Sequence, residues 1–331
     1  MAVSSGRGST SRIPSESWAA FCAALPGRFL FPPQIPLATA AFQRILDALK
    51  NGLIPTEKSK PNPLANLWFM RAAHLYASAG GDPLFFSTHL LPLCKKIIQD
   101  FISPSGLGGV LMDDGGLIIP PAYHTPSASP ALVLHPGLRI NALWYSGLET
   151  TGVALKSAGD RSGDHFERLA GRFRRSFAKS YWCDPHACVC IPDEKSLDSH
   201  PADSPSLSPD QLLLTILPAS PIPRTKQRQI LHAVRAKSLG ELGIVFNHPA
   251  HGPVESILHR AWLVTGLLSS ADSRNSALPE ATEIAAPLLS LLAASPDGLP
   301  ALYKSGQPLE PHPDPLTTAE VHTALALLRS N

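Results

Sequence analysis

The chain has 331 residues, 34 of them proline, with a net charge of +2 and only 16% charged residues. That length suits one large core or two modest ones, and so small a net charge offers no field for nucleic acid or an anionic membrane surface. No apolar run reaches the ~20 residues that a membrane-spanning helix needs, so neither nucleic acid nor a membrane is an expected partner. Met1–Arg12 is rich in Ser and Gly and lacks the apolar stretch of a secretory signal. Residues 1–14 read as a disordered start and 15–331 as one domain. Five cysteines, an odd number in a long chain, argue against a disulfide framework and for a reducing compartment, the cytoplasm.

In chain order, Ser15 caps a predicted helix over Ser15–Leu25, with Trp18, Phe21, Cys22 and Leu25 on one face, and Pro26 ends it. Ala38–Leu49 is amphipathic and stops at Asn51-Gly52. Lys58–Pro63 is a polar, proline-broken turn. The next helix spans about Leu64 to Ala79, with Leu67, Trp68, Arg71 and Leu75 along one stripe and Asn62 and Asn66 near its start. Gly80-Gly81-Asp82-Pro83 closes it. Phe86–Phe101 is helical, with Pro92 kinking it or sitting in a first turn. Ser103–Ile119 carries VLMDDGGLII, a hairpin built on favoured turn dipeptides, and the proline-rich stretch 120–137 is loop.

Arg139–Thr151, RINALWYSGLETT, is the helix on which the chain is organised, with Ile140, Leu143, Trp144 and Leu148 on one face. Phe166–Trp182 is a basic helix with Leu169, Phe173 and Phe177 inward, read as a solvated face rather than a nucleic-acid surface. Cys183, Cys188 and Cys190 with His186 have the spacing C-x4-C-x-C, which fits no paired Cys-x2-4-Cys zinc pattern. No metal and no cofactor is expected, and Ala187–Ile191 reads as a strand. Ser196–Ser208 is a polar loop, Gln211–Leu217 an apolar run, and Arg224–Lys237 a helix. Ile257–Leu268 and Ala285–Ala294 are apolar helices. Leu316–Leu328 is the last helix, capped by Thr317 or Thr318, with Glu320 in its first turn.

Flat amphipathic rings with a few fixed polar groups suit a sugar-binding cleft, and Asn141, Trp144 and Tyr145 offer both. INALWY at Ile140–Tyr145, preceded by NGLIP at Asn51–Pro55, LANLWFM at Leu64–Met70 and LMDDGGL at Leu111–Leu117, resembles the C-terminal α-1,6-glucosidase domain of glycogen debranching enzymes. Looser matches follow at Pro209–Gln211 with Pro218 and at Leu239–Ile244. The resemblance implies an all-α (α/α)6 toroid with a few short strands in its loops. It also implies an α-glucan oligosaccharide or glycogen as partner, in a cleft bordered by Asn66, Trp68, Asn141, Trp144 and Tyr145; from the neighbouring loop, Tyr123, His124 and His135 can hydrogen-bond a sugar.

Glycoside hydrolysis needs a carboxylic acid and a second carboxylate, roughly 6.5–9.5 Å apart in an inverting enzyme. The resemblance places the acid between the DDGGL-like turn and INALWY, and here nothing between Asp114 and Glu149 is Asp or Glu. Phe29, Leu64 and Arg139 stand where the family has Asp, Asp and Glu. Glu255, after His251-Gly252 at a helix entry, is the candidate base, while Asp113 and Asp114 read as turn formers, Asp210 as a cap and Glu320 as a dipole partner. The expectation is therefore a glycogen-debranching-like barrel with a degenerate catalytic site. An active amylo-α-1,6-glucosidase and a structural partner in glycogen metabolism are the alternatives.

Overall fold

The computed structural model describes residues 17–56, 60–119, 136–183, 188–189, 208–248, 250–295, 297–310 and 312–330. Residues 1–14, Ser15, His124, His186, Cys190 and most of the 196–208 loop lie outside them. The described residues are mostly helical.

Helices that are apolar all round are buried, and one-sided helices cover them. Three of the first kind are α1 (Trp18–Phe29), α3 (Pro63–Ser78) and α10 (Ile257–Ser270), each buried along most of its length. Amphipathic helices pack on them: α2 (Ile35–Asp47), α5 (Leu91–Ile102) and α7 (Ser162–Tyr181) bury one stripe each. A three-residue α4 (Pro83–Phe85) passes through a π turn into α5, and Pro92 sits in the first turn of α5, where no N–H is needed. The organising helix, α6, runs over Pro136–Ser157. A 3-10 turn at Pro209–Leu212 leads into the short α8 (Leu213–Ile216), followed by α9 (Arg224–Ser238), α11 (Arg274–Ala294) and α12 (Pro315–Arg329).

Neighbours follow a simple rule. α1 packs on α3 and on α12; α3 packs on α6; α6 packs on the 3-10 turn and α8; α8 packs on α10; α10 packs on α12. The succession of contacts returns to α1. Helices α2, α5, α7, α9 and α11 each dock on one or two of those six. Met70 lies beside Gly147, and His74 bonds Thr151, so α3 and α6 run the same way.

Several boundaries differ from the sequence reading. Ser17 caps α1, its Oγ accepting the Ala20 N–H at 3.2 Å. Pro26 lies inside α1 rather than ending it, because a proline so near the end removes one hydrogen bond while burial against α3 and α12 is kept. α2 begins at Ile35, with Pro36 in its first turn, rather than at Ala38. α12 is capped by Asp314, whose Oδ2 accepts the Thr317 N–H at 2.7 Å, and not by either threonine. α11 starts eleven residues before Ala285 and carries Pro279 and Pro287 inside; those prolines masked its periodicity. By length and composition α11 is also apolar enough to cross a bilayer, the one such helix among the described residues, but it packs along α10 and α12.

Strands are short. β1 (Leu111–Met112) pairs with β2 (Ile118–Ile119), and β3 (Trp182–Cys183) with β4 (Cys188–Val189), both antiparallel. The sequence reading lacks a four-stranded antiparallel sheet: β5 (Ile244–His248), β6 (Gly252–Ser256), β7 (Leu302–Lys304) and β8 (Gln307–Pro308), in that spatial order. Its Gly- and Pro-containing strands imitate loops, and its last two lie about fifty residues beyond the first pair.

Candidate functional site

α6 carries the motif residues, and each is fully or almost fully buried. Asn141 grips the β1–β2 hairpin: its Oδ1 accepts the Ile118 N–H at 2.7 Å and its Nδ2 donates to the Ile118 and Gly137 carbonyls at 2.9 Å. Trp144 donates its indole N–H to the Gly116 carbonyl at 3.1 Å and packs on Phe101 of α5. Tyr145 packs at a tilt against Phe173 of α7, and burial, reinforced by Glu149, pushes its phenol above the usual tyrosine range. The turn residues Gly115 and Gly116 lie against Ser176, Leu169 and Phe173 of α7. These three motif side chains thus fasten the Asp-Asp-Gly-Gly hairpin and the α5 and α7 helices to α6.

Asn66 has a similar fastening geometry at the start of α3. Its Oδ1 accepts the Ile54 N–H at 3.2 Å, and its Nδ2 donates to the Ile54 and Asn62 carbonyls at 3.0 and 2.7 Å. Glu255 lies on β6, half-buried, where its Oε2 accepts the N–H groups of Leu242 and Gly243 at 2.6 and 2.7 Å. That carboxylate pins the turn before β5.

A different set of polar groups meets on the six mutually packed helices. Arg139, at the start of α6, points at Asp210 on the 3-10 turn, with Nη2 3.4 Å from Oδ2. Asp210 Oδ1 lies 3.1 Å from His259 Nε2, and His259 Nδ1 is 2.8 Å from the Ser256 hydroxyl at the start of α10. All four are buried. Burial lowers the Arg139 guanidinium from its ordinary range and the Asp210 carboxylate opposes the shift. A second ion pair joins Arg71 of α3 to Glu320 of α12 at 2.8 Å, with side chains 4% and 1% exposed. The Arg71 guanidinium also lies 5.4 Å from the centre of the Trp68 ring.

This polar set was not expected to meet. Asp210 is no cap: Ser208 caps the 3-10 turn, its Oγ accepting the Asp210 N–H at 3.3 Å. Glu320 lies beyond the first turn of α12, not within it, and closes an ion pair with Arg71 across 249 residues of chain. His259 and Trp262, on α10, lie edge to face at 5.1 Å. Several buried atoms have no hydrogen-bond partner among the described residues: Trp68 Nε1, Arg71 Nε, Trp262 Nε1, Thr317 Oγ1 and Glu320 Oε2. Among the described residues expected from the motifs, Trp68 touches this set, through Arg71.

Ser256, His259 and Asp210 are in hydrogen-bond order, as in a nucleophilic triad. Their place argues otherwise, because the serine hydroxyl is wholly buried and also accepts the His259 backbone N–H at 3.4 Å as the α10 cap. Among the described residues no three His, Cys, Asp or Glu side chains are placed to hold a metal ion.

Residues 134–251 match a family model described as amylo-alpha-1,6-glucosidase, so the resemblance carried by Ile140–Tyr145 holds over that stretch. No curated protein sequence matches the chain. Among solved structures, the chain is similar to a rhamnosidase from Klebsiella oxytoca with rhamnose bound, with a TM-score of 0.63 and 9% identity over 95% of this chain. The chain spans 57% of that protein's length. It is also similar to a sugar epimerase from a ruminal bacterium, with a TM-score of 0.56, 11% identity, and 95% of this chain and 87% of that one covered. A third is a GH63 mannosylglycerate hydrolase from Thermus thermophilus in complex with Tris and D-glycerate. For it the TM-score is 0.54, identity 12%, and coverage 95% of this chain and 92% of that one. At such identities the likeness is one of fold.

Proposed function

We propose that the chain is a glycosidase-type (α/α)6 toroid that holds an α-glucan oligosaccharide weakly and does not hydrolyse it. The circular succession α1, α3, α6, α8, α10, α12, with the other helices docked on it, supports the toroid, as does the fold likeness to sugar-processing enzymes. Residues 15–331 form one such barrel in this reading, and the cytoplasm is its compartment.

One observation carries the loss of hydrolysis. The two most deeply buried carboxylates among the described residues, Asp210 and Glu320, are each bound to an arginine, Arg139 and Arg71. Arg139 occupies the position at which the resemblance places a Glu. A general acid must reach the glycosidic oxygen with its carboxyl, and here a guanidinium takes up one oxygen of each carboxylate. Glu255, held by two backbone N–H groups, and His124 carry no chemistry in this reading.

Binding rests on the same centre. Two indole N–H groups, a guanidinium N–H and a carboxylate oxygen without partners among the described residues match the donors and acceptors of sugar hydroxyls. Trp68 is the contact residue, while Asn66, Asn141, Trp144 and Tyr145 hold the walls. Titration calorimetry with branched and linear maltooligosaccharides tests this: the branched ligand should give a weak binding heat that Trp68→Ala removes. No heat from either ligand would leave the structural partner in glycogen metabolism as the reading. An active amylo-α-1,6-glucosidase has one observation in its favour, the unpartnered Glu320 Oε2, and turnover decides it.

A further inference from the structure

We propose that Cys183 and Cys188 are a redox-modifiable pair that exchange with a small oxidised disulfide, such as glutathione disulfide, converts into a cross-strand bond. The inference is independent of the saccharide reading. Cys183 on β3 is the register partner of Cys188 on β4. Directly opposed residues of an antiparallel pair have Cα atoms roughly 4.5–5.5 Å apart, inside the roughly 4.4–6.8 Å window that a disulfide accepts. The two side chains also form a small buried cluster of their own, apart from the main core.

The other described cysteines are differently placed. Cys22 and Cys94 are fully buried on α1 and α5, and burial pushes the Cys94 thiol up to about 12, which leaves it unreactive. The β3–β4 hairpin has strands of two residues each, and so short a ribbon opens readily. Cys183 is 7% exposed and Cys188 1%, so attack begins at Cys183. Its thiolate displaces one glutathione thiolate and forms a mixed disulfide, its own proton having gone to solvent. Cys188, deprotonated in turn, attacks the Cys183 sulfur and releases the second glutathione. Two thiols are oxidised and one disulfide is reduced to two thiols.

The bond has a structural consequence. The Val189 N–H on β4 donates to Gln211 Oε1 at 3.2 Å, and Gln211 neighbours Asp210 on the 3-10 turn. Lys226 of α9 lies 4.2 Å from the Trp182 ring centre on β3. A Cys183–Cys188 bond ties together the two strands that make these contacts, next to the buried polar centre.

The test uses the full chain with its five cysteines. The native protein is incubated with glutathione disulfide, alkylated, digested without reduction and mapped by mass spectrometry. Denaturing thiol titration and hydrogen exchange at Val189 accompany the map. The expected result is one link between Cys183 and Cys188, loss of two of the five thiols, recovery with dithiothreitol, and slower exchange at Val189. Cys183→Ser should abolish the link; the wild-type map stands alone if that variant fails to fold. A link to Cys190, a glutathione adduct with no internal bond, an unreactive native protein, or stoichiometric zinc in the purified chain would each overturn the proposal.

Discussion

Replacing Glu320 by alanine isolates the clearest energetic feature of the buried centre. Its Oε1 lies 2.8 Å from Arg71 Nη1, with both side chains almost wholly removed from water. Arg71 makes no other ion pair among the described residues. Removal of one member of such a pair strands a buried charge and costs about 3–5 kcal/mol. Replacing both members by apolar residues of similar volume, Arg71→Met with Glu320→Leu, removes the desolvation penalty together with the attraction, and is about neutral or stabilising by up to ~4 kcal/mol. Urea denaturation followed by circular dichroism measures all of this, provided the slopes agree between variants. The expected order is a Glu320→Ala protein far less stable than wild type, and a double variant at or above wild type. A Glu320→Ala loss under about 1 kcal/mol would place the pair in a wet environment and remove the argument that both carboxylates of the centre are tightly held. A double variant as damaged as the single would mean that the pair organises packing beyond its own charges.

Three further outcomes follow from single residues. Burial holds the His74 imidazole down to about 4, with Nε2 3.0 Å from the Thr151 hydroxyl; the unfolded chain binds a proton near 6.5, so stability should fall by about 3 kcal/mol as pH drops from 6.5 to 4. His74→Gln should flatten that part of the profile, and an unchanged slope would put the titration elsewhere. Asn141→Ala leaves the Ile118 N–H and carbonyl without their partner, at about 1–3 kcal/mol for each buried group; denaturant titration checks it, and a loss below about 1 kcal/mol would mean that the hairpin is not fastened there. Gly27→Ala places a Cβ against the Ala319 backbone where α1 meets α12, and the thermal midpoint should fall, whereas Gly159→Ala, with no atom near that Cβ, meets only backbone strain.

The helices were readable because their apolar spacing is set by packing. Ile140, Leu143, Trp144 and Leu148 mark α6, and all are buried. Spacing does not say which neighbour a ring will meet. Trp144 turns to Phe101 and Tyr145 to Phe173, both on helices that pack against α6, and the two asparagines expected to bind hydroxyls bind backbone instead. Arg71 was visible on an apolar stripe of α3, a hint that it is buried and paired, but its partner lies at the other end of the chain. Separation along the chain likewise hid the pairing of Asp210 with His259, and of β6 with β7. Local sequence reports what a residue prefers; only the fold reports what stands opposite it.

In the proposed toroid, the carboxylates hold the structure rather than cleave a glycosidic bond. Glucose release from a branched limit dextrin, by the purified wild-type chain alongside Asp210→Asn, Glu320→Gln and Glu255→Gln, tests it most directly. A positioned acid typically contributes about 10²–10⁴-fold to such a reaction, so its absence should leave all four proteins at the level of a protein-free blank. Robust release by the wild-type chain, abolished by Glu320→Gln or by Glu255→Gln, would contradict the account and restore an active glucosidase.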